Sequence, residues 1–284
     1  MTRPLGRLTL AVLGLTLLLA GDIRPAEADA LAADLSNKVI RITSSFTGTE
    51  VLLFGAVVAE AGPHIGIAGK RDIIVVVRGP PERVTVHLKG RVGPIWTNVE
   101  KAIFETAPSF YFVASTVPLW SLTDPQILDK HEIGLEHLKL DANDRRLEPS
   151  QRRAFREALI ALRERFQPPY LDHVPLYTEV SDPASCRTAP DSECFFRFSG
   201  STLFSVRLPI PANVPIGKLD ISVYLVHNGR IDLSQSQSWK LEVSRIGVEG
   251  WLYKHAVSNP LLYGLGAMAL ALVSGIAAAA AFRR

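Results

Sequence analysis

The sequence predicts a mainly β protein: an immunoglobulin-like β-sandwich with an α-helical insertion, followed by one C-terminal transmembrane helix. Three observations lead to this fold class. Short apolar and β-branched runs, separated by proline and glycine, occupy both halves of the chain. Two segments between these halves carry apolar residues at helical spacing. The last apolar run contains no charged side chain and is long enough to cross a bilayer.

The N-terminus has the order of regions that is typical of a secretory signal peptide. Arg3 and Arg7 precede an apolar run over residues 8–20, and Ala28-Asp29-Ala30 then supplies small residues for cleavage. The apolar run is shorter than a membrane-spanning helix requires. We therefore expect residues 1–30 to be a signal peptide that is cleaved after Ala30. Cleavage after Ala28, or an uncleaved anchor, remains the alternative.

The first half of the mature chain is predicted to consist of strands. Residues 39–43 and 50–58 form two of them, joined by a short turn. Residues 73–77 are five consecutive β-branched residues, which is the pattern of a strand buried on both faces. Residues 84–88 alternate apolar with polar side chains, so one face of that strand should be exposed to solvent. Shorter β segments follow at residues 95–97, 102–104 and 110–113.

The helical insertion is predicted at residues 119–170 and contains two helices. The first begins at the N-cap Asp124 with Pro125 at its first position. Its apolar stripe consists of Ile127, Leu128, His131, Leu135 and Leu138. The second begins at Ser150, and its stripe consists of Phe155, Leu159, Leu162 and Phe166. The arginines of the second helix, including Arg156 and Arg163, are interpreted as part of a solvated charged face.

The β pattern returns after the helices. Residues 202–208 and 219–226 alternate apolar with polar side chains, and a proline-rich loop separates them. Asn228-Gly229 predicts a tight hairpin into a last strand that contains Trp239. This order of strands favours a single sandwich over residues 31–246. Two small β domains, residues 31–118 and 171–246, are the alternative.

Charge and cysteine content limit the possible functions. Without the charged residues of the two termini, the chain carries 26 Lys+Arg against 25 Asp+Glu. A nearly neutral exported domain has no electrostatic footprint for nucleic acid, so no nucleic-acid partner is predicted. The two cysteines, Cys186 and Cys194, are expected to form a disulfide in an oxidising compartment and to close a short loop.

The C-terminal segment predicts both an anchor and its orientation. Residues 260–282 carry no charge and are followed by Arg283 and Arg284, which the positive-inside rule places in the cytoplasm. The rest of the protein should then be periplasmic, anchored in the bacterial inner membrane. Residues 247–259 form a juxtamembrane segment, in which Trp251, Tyr253 and His255 are expected at the headgroup level.

Small residues recur at every fourth position of the predicted span. These residues are Ala267, Ala271, Gly275 and Ala279. They line one face of the helix, and small side chains allow a second helix to approach closely in lipid. The face is therefore predicted to pack against an integral-membrane transporter or against a second copy of this chain. The five consecutive alanines of residues 277–281 could give the same spacing by composition alone.

Several segments resemble a family of alphaproteobacterial transmembrane proteins of uncharacterised activity. They are residues 46–57, 76–82, 108–111, 131–136 and 208–225, together with 247–249 ahead of the span. The resemblance covers nearly the whole exported chain. It implies no catalytic residue, because no activity is established for that family. Its members are often encoded near permeases that resemble sulfite or taurine exporters, which implies a transporter-associated role.

No catalytic motif is complete in this sequence. His131 and His137 lie six residues apart, about 240° around a helix, so they cannot bind one metal from the same helix. No cofactor, metal site or catalytic residue is predicted. We expect a noncatalytic accessory module for a membrane partner such as a permease. A solute- or polymer-binding module, with an aromatic pocket near Trp96, Phe110 and Tyr111, is the alternative, and an unrecognised hydrolase is a third.

Overall fold

The computed structural model describes residues 30–43, 45–58, 71–142, 147–165, 175–182, 194–199, 202–227, 229–246 and 248–283. The strands in these ranges are β1 Ala30–Leu35, β2 Val39–Ile42, β3 Gly48–Val58, β4 Arg71–Arg78, β5 Pro81–Val92, β6 Ile95–Pro108, β7 Tyr111–Ser115, β8 Tyr177–Ser181, β9 Phe196–Ser199, β10 Leu203–Pro211, β11 Gly217–His227 and β12 Arg230–Arg245. The helices are α1 Leu119–Leu122, α2 Pro125–His131, α3 Pro149–Arg165, α4 Val248–Ser258 and α5 Pro260–Ala281. The predicted signal peptide lies outside the described residues, apart from Ala30.

The described strands form three sheets. A four-stranded antiparallel sheet has the order β1-β3-β10-β9, and a six-stranded sheet has the order β2-β12-β11-β4-β7-β8. Strands β5 and β6 form a separate two-stranded hairpin. The mainly β prediction is therefore confirmed. The immunoglobulin-like strand order stays a prediction, because β2 pairs with β12, and β8 with β7, in parallel. Both larger sheets combine strands from before and after the helices.

The main hydrophobic core lies between the two larger sheets. Leu53 and Val206 contribute to it from the four-stranded sheet, and Val75, Ile221 and Val223 from the six-stranded sheet, all fully buried. Burial of each such side chain contributes roughly 1.5–3 kcal/mol relative to exposure. The outward positions of the four-stranded sheet are exposed or half-buried instead, which gives β3 and β10 their alternation.

A second core covers the opposite face of the six-stranded sheet. Alternate residues of β4 serve the two cores: Ile73, Val75 and Val77 face the first, whereas Ile74 and Val76 face the second. All five are at most 1% exposed. The prediction of a strand buried on both faces is confirmed. Helices α1, α2 and α3 and the base of the β5–β6 hairpin form the layer that covers this second face.

Helix α2 is shorter than its apolar stripe predicts. Asp124 caps it as predicted, and its side chain accepts a hydrogen bond from the backbone N–H of Gln126 at 2.8 Å. The helix ends at His131, however, because Glu132 takes the left-handed conformation with φ 55°. Leu135 and Leu138 are buried, but they belong to the irregular segment after the helix. Their spacing therefore indicated correctly that these residues are buried, but the prediction that the helix continues through them is wrong.

Helix α3 buries a different face from the predicted one at its C-terminal end. Phe155 and Leu159 are buried as expected, but Leu162 is 50% exposed, and Phe166 lies outside the described residues. Arg163 lies over the ring of Tyr177 instead, with its Cζ atom 5.9 Å from the ring centroid, and pairs with Glu82. The interpretation of a uniformly solvated arginine face is wrong for Arg163, whose long stem takes the place of an apolar residue.

A glutamine side chain closes the free edge of β1. The backbone N–H of Ala33 donates to Oε1 of Gln237 at 3.2 Å, and Nε2 of Gln237 donates to the carbonyl of Leu31. Gln237 belongs to β12 of the six-stranded sheet, so the amide joins the two sheets at this edge. It satisfies main-chain groups that no neighbouring strand reaches.

The turn between β11 and β12 confirms the hairpin that Asn228-Gly229 predicts. His227 pairs with Arg230, so two residues connect the strands, and Gly229 has φ 77°. Asn228 itself lies outside the described residues. The opposite end of β12 pairs with β2 and leads into α4, so the two ends of β12 mark the two ends of the six-stranded sheet.

Helix α5 corresponds closely to the predicted span. It runs from Pro260 to Ala281 with a mean hydropathy of 2.0, and none of its most apolar window is buried. Of the helices in the described ranges, it is the one that is long and apolar enough to cross a membrane. The preceding juxtamembrane segment, for which the sequence predicted no secondary structure, contains helix α4.

Candidate functional site

An extensive group of hydrogen-bonded polar side chains lies at the end of β4 and the start of β7, around the buried Tyr111. We call Arg78, Tyr111, Glu179 and the turn of residues 131–136 the Arg78 cluster. Arg78 is the last residue of β4, and the sheet register places it opposite Tyr111. The guanidinium carbon of Arg78 is 6.0 Å from the centroid of the Tyr111 ring. This geometry follows from pairing the C-terminal end of one central strand with the N-terminal end of its neighbour.

Every hydrogen bond of the cluster is directed at the main chain of one turn. Nη2 of Arg78 donates to the carbonyl oxygens of His131 at 2.6 Å and Glu132 at 2.7 Å. The Tyr111 hydroxyl donates to the Glu132 carbonyl at 2.8 Å and accepts from the N–H of Gly134 at 2.9 Å. Because Gly134 has φ 103° and Glu132 is left-handed, this turn needs such outside support.

Two further side chains continue the same support along the chain. The backbone N–H of Leu135 donates to Oε2 of Glu179 at 2.7 Å. Nη2 of Arg156 donates to the carbonyls of Leu135 at 3.1 Å and Leu138 at 3.2 Å, and also to that of Glu136. Arg156 therefore holds the segment after α2, and its interpretation as part of a solvated face is wrong.

The pKa shifts in the Arg78 cluster favour a structural role for these side chains over a role in proton transfer. Burial raises the pKa of the Tyr111 phenol above its usual range, so the phenol stays protonated at neutral pH. Partial burial, together with the charges of Lys130 and Arg78, lowers the pKa of His131. The carboxyl of Glu179 already accepts a backbone N–H. The cluster thus holds a neutral phenol and a cation that is engaged by carbonyl oxygens.

A second buried polar group joins the two large sheets beside the cysteine loop. Asp182 is 5% exposed, and its carboxyl group accepts the backbone N–H groups of Phe195 at 3.0 Å and Phe196 at 2.7 Å. Its own N–H donates to the carbonyl of Ser115 at 3.1 Å. Asp182 follows β8 in one sheet and binds the start of β9 in the other. It therefore holds the two ends of the cysteine loop together.

The predicted disulfide lies at this loop. Cys194 is disulfide-bonded. Cys186 lies outside the described residues, so the pairing of Cys186 with Cys194 stays a prediction.

The structure separates the three aromatic residues that would have formed a solute pocket. Phe110 and Tyr111 are 0% exposed in the two cores, whereas Trp96 is 70% exposed near the tip of the β5–β6 hairpin. They do not line a common cavity, so the aromatic pocket is not formed. Core packing accounts for Phe110 and Tyr111.

Metal binding finds no support in the described ranges. No group of three or more His, Cys, Asp or Glu side chains there could hold a metal ion. Nδ1 of His137 lies 2.6 Å from Oδ1 of Asp129, and His131 lies against Tyr224 with ring centroids 6.3 Å apart. Each of the two histidines therefore has its own separate neighbour.

The predicted membrane-helix residues lie on α4 and α5. Ala267, Ala271, Gly275 and Ala279 are exposed on α5, and Arg283 is exposed just after it. The backbones of Trp251 and Tyr253 belong to α4, but their side chains, like Arg284, lie outside what the structure describes. The roles of these residues in helix packing and in fixing membrane depth stay predictions.

Sequence analysis missed both buried polar groups, although one signal was present. Arg78 directly follows the five β-branched residues of β4, and a charge at the end of such a strand needs a partner. The partners are carbonyls 53 and 54 residues further along the chain. No local pattern marks those carbonyls, since any residue type could supply them.

A β-rich domain that is joined through a short helix to an exposed apolar helix defines a membrane-associated protein, with one candidate span among the residues that the structure describes. The chain belongs to the family described as "Putative transmembrane protein (Alph_Pro_TM)", whose model matches residues 30–284. The suspected membership of an uncharacterised transmembrane family is confirmed. Searches of the curated proteins and of the solved structures returned no match.

Proposed function

We propose that this protein is a noncatalytic accessory module that binds an integral-membrane partner, such as a permease, in the bacterial inner membrane. Its β-rich domain lies in the periplasm and its C-terminus in the cytoplasm. The observation that carries the proposal is the contrast between the two parts of the chain. The Tyr111 hydroxyl and Nη2 of Arg78 are engaged by the domain's own main chain, whereas α5 has no buried residue.

The membrane helix supplies the binding surface in this proposal. Ala271 and Gly275 lie one turn apart, and a Cβ added at Gly275 would meet nothing within 4 Å. At the junction with α4, an open groove of about 500 Å³ is lined by apolar atoms of Leu252, Gly266 and Leu270, among others. Small residues beside a groove favour the close approach of another helix in lipid.

The orientation is tested with fusions to a reporter that is active only in the cytoplasm. We expect no activity when the reporter follows residue 200 and full activity when it follows Arg284, because Arg283 and Arg284 stay on the cytoplasmic side. Equal amounts of both fusion proteins must be present in the membrane fraction. The reverse pattern of activity would refute the proposed topology.

The partner is tested with the double variant Ala271→Leu/Gly275→Leu in the full chain. Two leucine side chains on the small face should prevent close helix approach and reduce cross-linked adducts in native membranes at least tenfold. The matched control is Ala269→Leu/Ala277→Leu, which also introduces two leucine side chains, but on the opposite face of the helix. Mass spectrometry of the adducts distinguishes a permease from a second copy of this chain.

Unchanged adducts in the small-face variant, with normal insertion, would mean that α5 is only a tether. Loss of adducts in both variants would also contradict the proposal, because the effect would then not depend on the face.

A further inference from the structure

The β5–β6 hairpin is the least covered part of the β-rich domain. Its base is buried at Val86 and Ala102, but every residue from Lys89 to Asn98 apart from Gly90 is exposed. Five large apolar side chains are exposed in and directly beside this range. With their exposed fractions, they are Leu88 (39%), Val92 (55%), Ile95 (62%), Trp96 (70%) and Val99 (49%). Contiguous exposed apolar side chains of this kind are typical of surfaces that bind a protein, a membrane or a ligand.

The apolar side chains are ordered on the hairpin. Val92 pairs with Ile95 on one face, and Val99 lies on the same face, where its Cγ2 atom would be 2.7 Å from a Cβ built on Gly90. Arg91 pairs with Trp96 on the opposite face, next to Lys89. The tip therefore has an aliphatic face with Val92, Ile95 and Val99, and an opposite face with the indole and the two cations. Both faces end at the Gly93-Pro94 turn.

The charge of the tip has one sign. No aspartate or glutamate occurs from Leu88 to Val99, whereas Lys89 and Arg91 are cations. Lys89 and Arg91 are exposed and lie within four residues of the turn. Aliphatic side chains, an indole and exposed cations together are the groups that bind the interface of an anionic bilayer.

The base of the hairpin lies near the point where the chain leaves the domain for the membrane helix. Gly217 pairs with Val243, near the point where β12 leaves for α4. A Cβ built on the same glycine would be 3.1 Å from Cγ of Pro80, the residue before β5. The base of the hairpin and the exit of the chain towards α5 therefore share one end of the six-stranded sheet.

The lengths of the two segments allow contact. Strand β5 has 12 residues and extends at most about 40 Å from its base at roughly 3.3 Å per residue. Helix α4, between the domain and α5, has 11 residues and is about 17 Å long. The greatest extension of the hairpin therefore exceeds the length of the helix that joins the domain to the span.

We propose that the tip of the β5–β6 hairpin docks on the anionic lipid surface of the membrane that α5 spans. Trp96, Ile95 and Val92 enter the interface, and Lys89 and Arg91 bind lipid phosphates. Together with α5 this gives the domain a second point of attachment, which fixes its orientation over the bilayer. The inference requires α5 to be in the membrane but does not depend on a permease partner.

The test uses the full chain reconstituted in vesicles of phosphatidylcholine with phosphatidylglycerol, in which the acyl chains carry bromine. Brominated chains quench tryptophans that enter the bilayer. We expect Trp96→Phe to remove a distinct part of the quenchable tryptophan fluorescence. The matched control is Trp120→Phe, because Trp120 on α1 is also exposed, at 81%. Helix α1 lies near the opposite end of the six-stranded sheet, since Oγ1 of Thr123, just after the helix, donates to the carbonyl of Gly229 at 2.7 Å.

The charge contribution is tested with Lys89→Gln/Arg91→Gln in the same vesicles. Each cation should strengthen partitioning of the tip by about fivefold, so the variant should lose the Trp96 quenching at moderate salt. Vesicles of phosphatidylcholine alone should give the same loss with the unmodified chain.

Three outcomes would overturn the inference. The first is equal quenching in the unmodified chain and Trp96→Phe, which would leave the hairpin free for a protein partner. The second is an equal reduction in Trp120→Phe. The third is Trp96 quenching that stays at the level of the unmodified chain in anionic vesicles when the vesicles are neutral or when both cations are replaced, which would remove the role of anionic lipid. None of these results bears on whether α5 binds a permease.

Discussion

Replacing Asp182 by alanine should lower the free energy of unfolding of the β-rich domain by about 3–5 kcal/mol. The carboxyl group accepts two backbone N–H groups, and hydrogen bonds to a charged acceptor contribute about 1.5–3 kcal/mol each. Phe196 is 1% exposed, so water cannot replace the lost acceptor at its N–H. The loss should be measured as the shift of the unfolding transition of the detergent-solubilised chain.

Two controls make the Asp182 result specific. Asp182→Asn keeps one acceptor oxygen and should cost about half as much, whereas Asp220→Ala removes an exposed carboxyl on β11 and should cost at most about 0.5 kcal/mol. Amide exchange should quicken first at Phe195–Ser199, since β9 pairs with one neighbour only. A cost below about 1 kcal/mol would mean that the two N–H groups find other acceptors.

Replacing Arg78 by leucine should cost about 2–4 kcal/mol. The substitution removes two hydrogen bonds from a cation to the carbonyls of His131 and Glu132. Glu132 keeps the bond from Tyr111, but the carbonyl of His131 loses the one from Arg78. The removal of a buried cation offsets part of the loss, which sets the lower bound. The unfolding transition and amide exchange over residues 131–138 should both be recorded.

The matched control for Arg78 is Arg83→Leu on β5. The side chain of Arg83 is 64% exposed and forms an ion pair of 3.4 Å with Glu105, so its loss should cost at most about 1 kcal/mol. Arg78→Lys should fall between the two, because one ammonium replaces a guanidinium that bridges two carbonyls. Equal costs for Arg78→Leu and Arg83→Leu would contradict the role given to the cluster.

Sequence patterns predicted those features that depend on neighbouring residues. The β-branched run of β4, the Asn-Gly hairpin, the N-cap of α2 and the apolar span each follow from local chemistry, and each is found. The patterns failed where burial arises from distant contacts. Leu138 is buried without being helical, and Leu162 is exposed because Arg163 is drawn to Glu82 and Tyr177.

The candidate site was less predictable than the fold for the same reason. The predicted aromatic pocket assumed that Trp96 and Tyr111 would meet, but β6 separates them: Trp96 lies near the tip of the hairpin, and Tyr111 begins β7 beyond the base of the hairpin. The Arg78 cluster depends on carbonyl oxygens, which every residue has. The segments 76–82, 108–111 and 131–136 all contribute residues to this cluster, so part of the family resemblance lies in residues that support this turn of the fold.

The pairings of β12 have a consequence for the order in which the chain folds during synthesis. This strand carries Gln237, which closes the free edge of β1, and it is the strand partner of β2, so β2 cannot join its sheet until the last strand is made. Contacts between residues about two hundred positions apart form slowly. The six-stranded sheet is therefore complete only when translation has nearly reached α5, and we expect insertion of the anchor and completion of the sheet to be close in time.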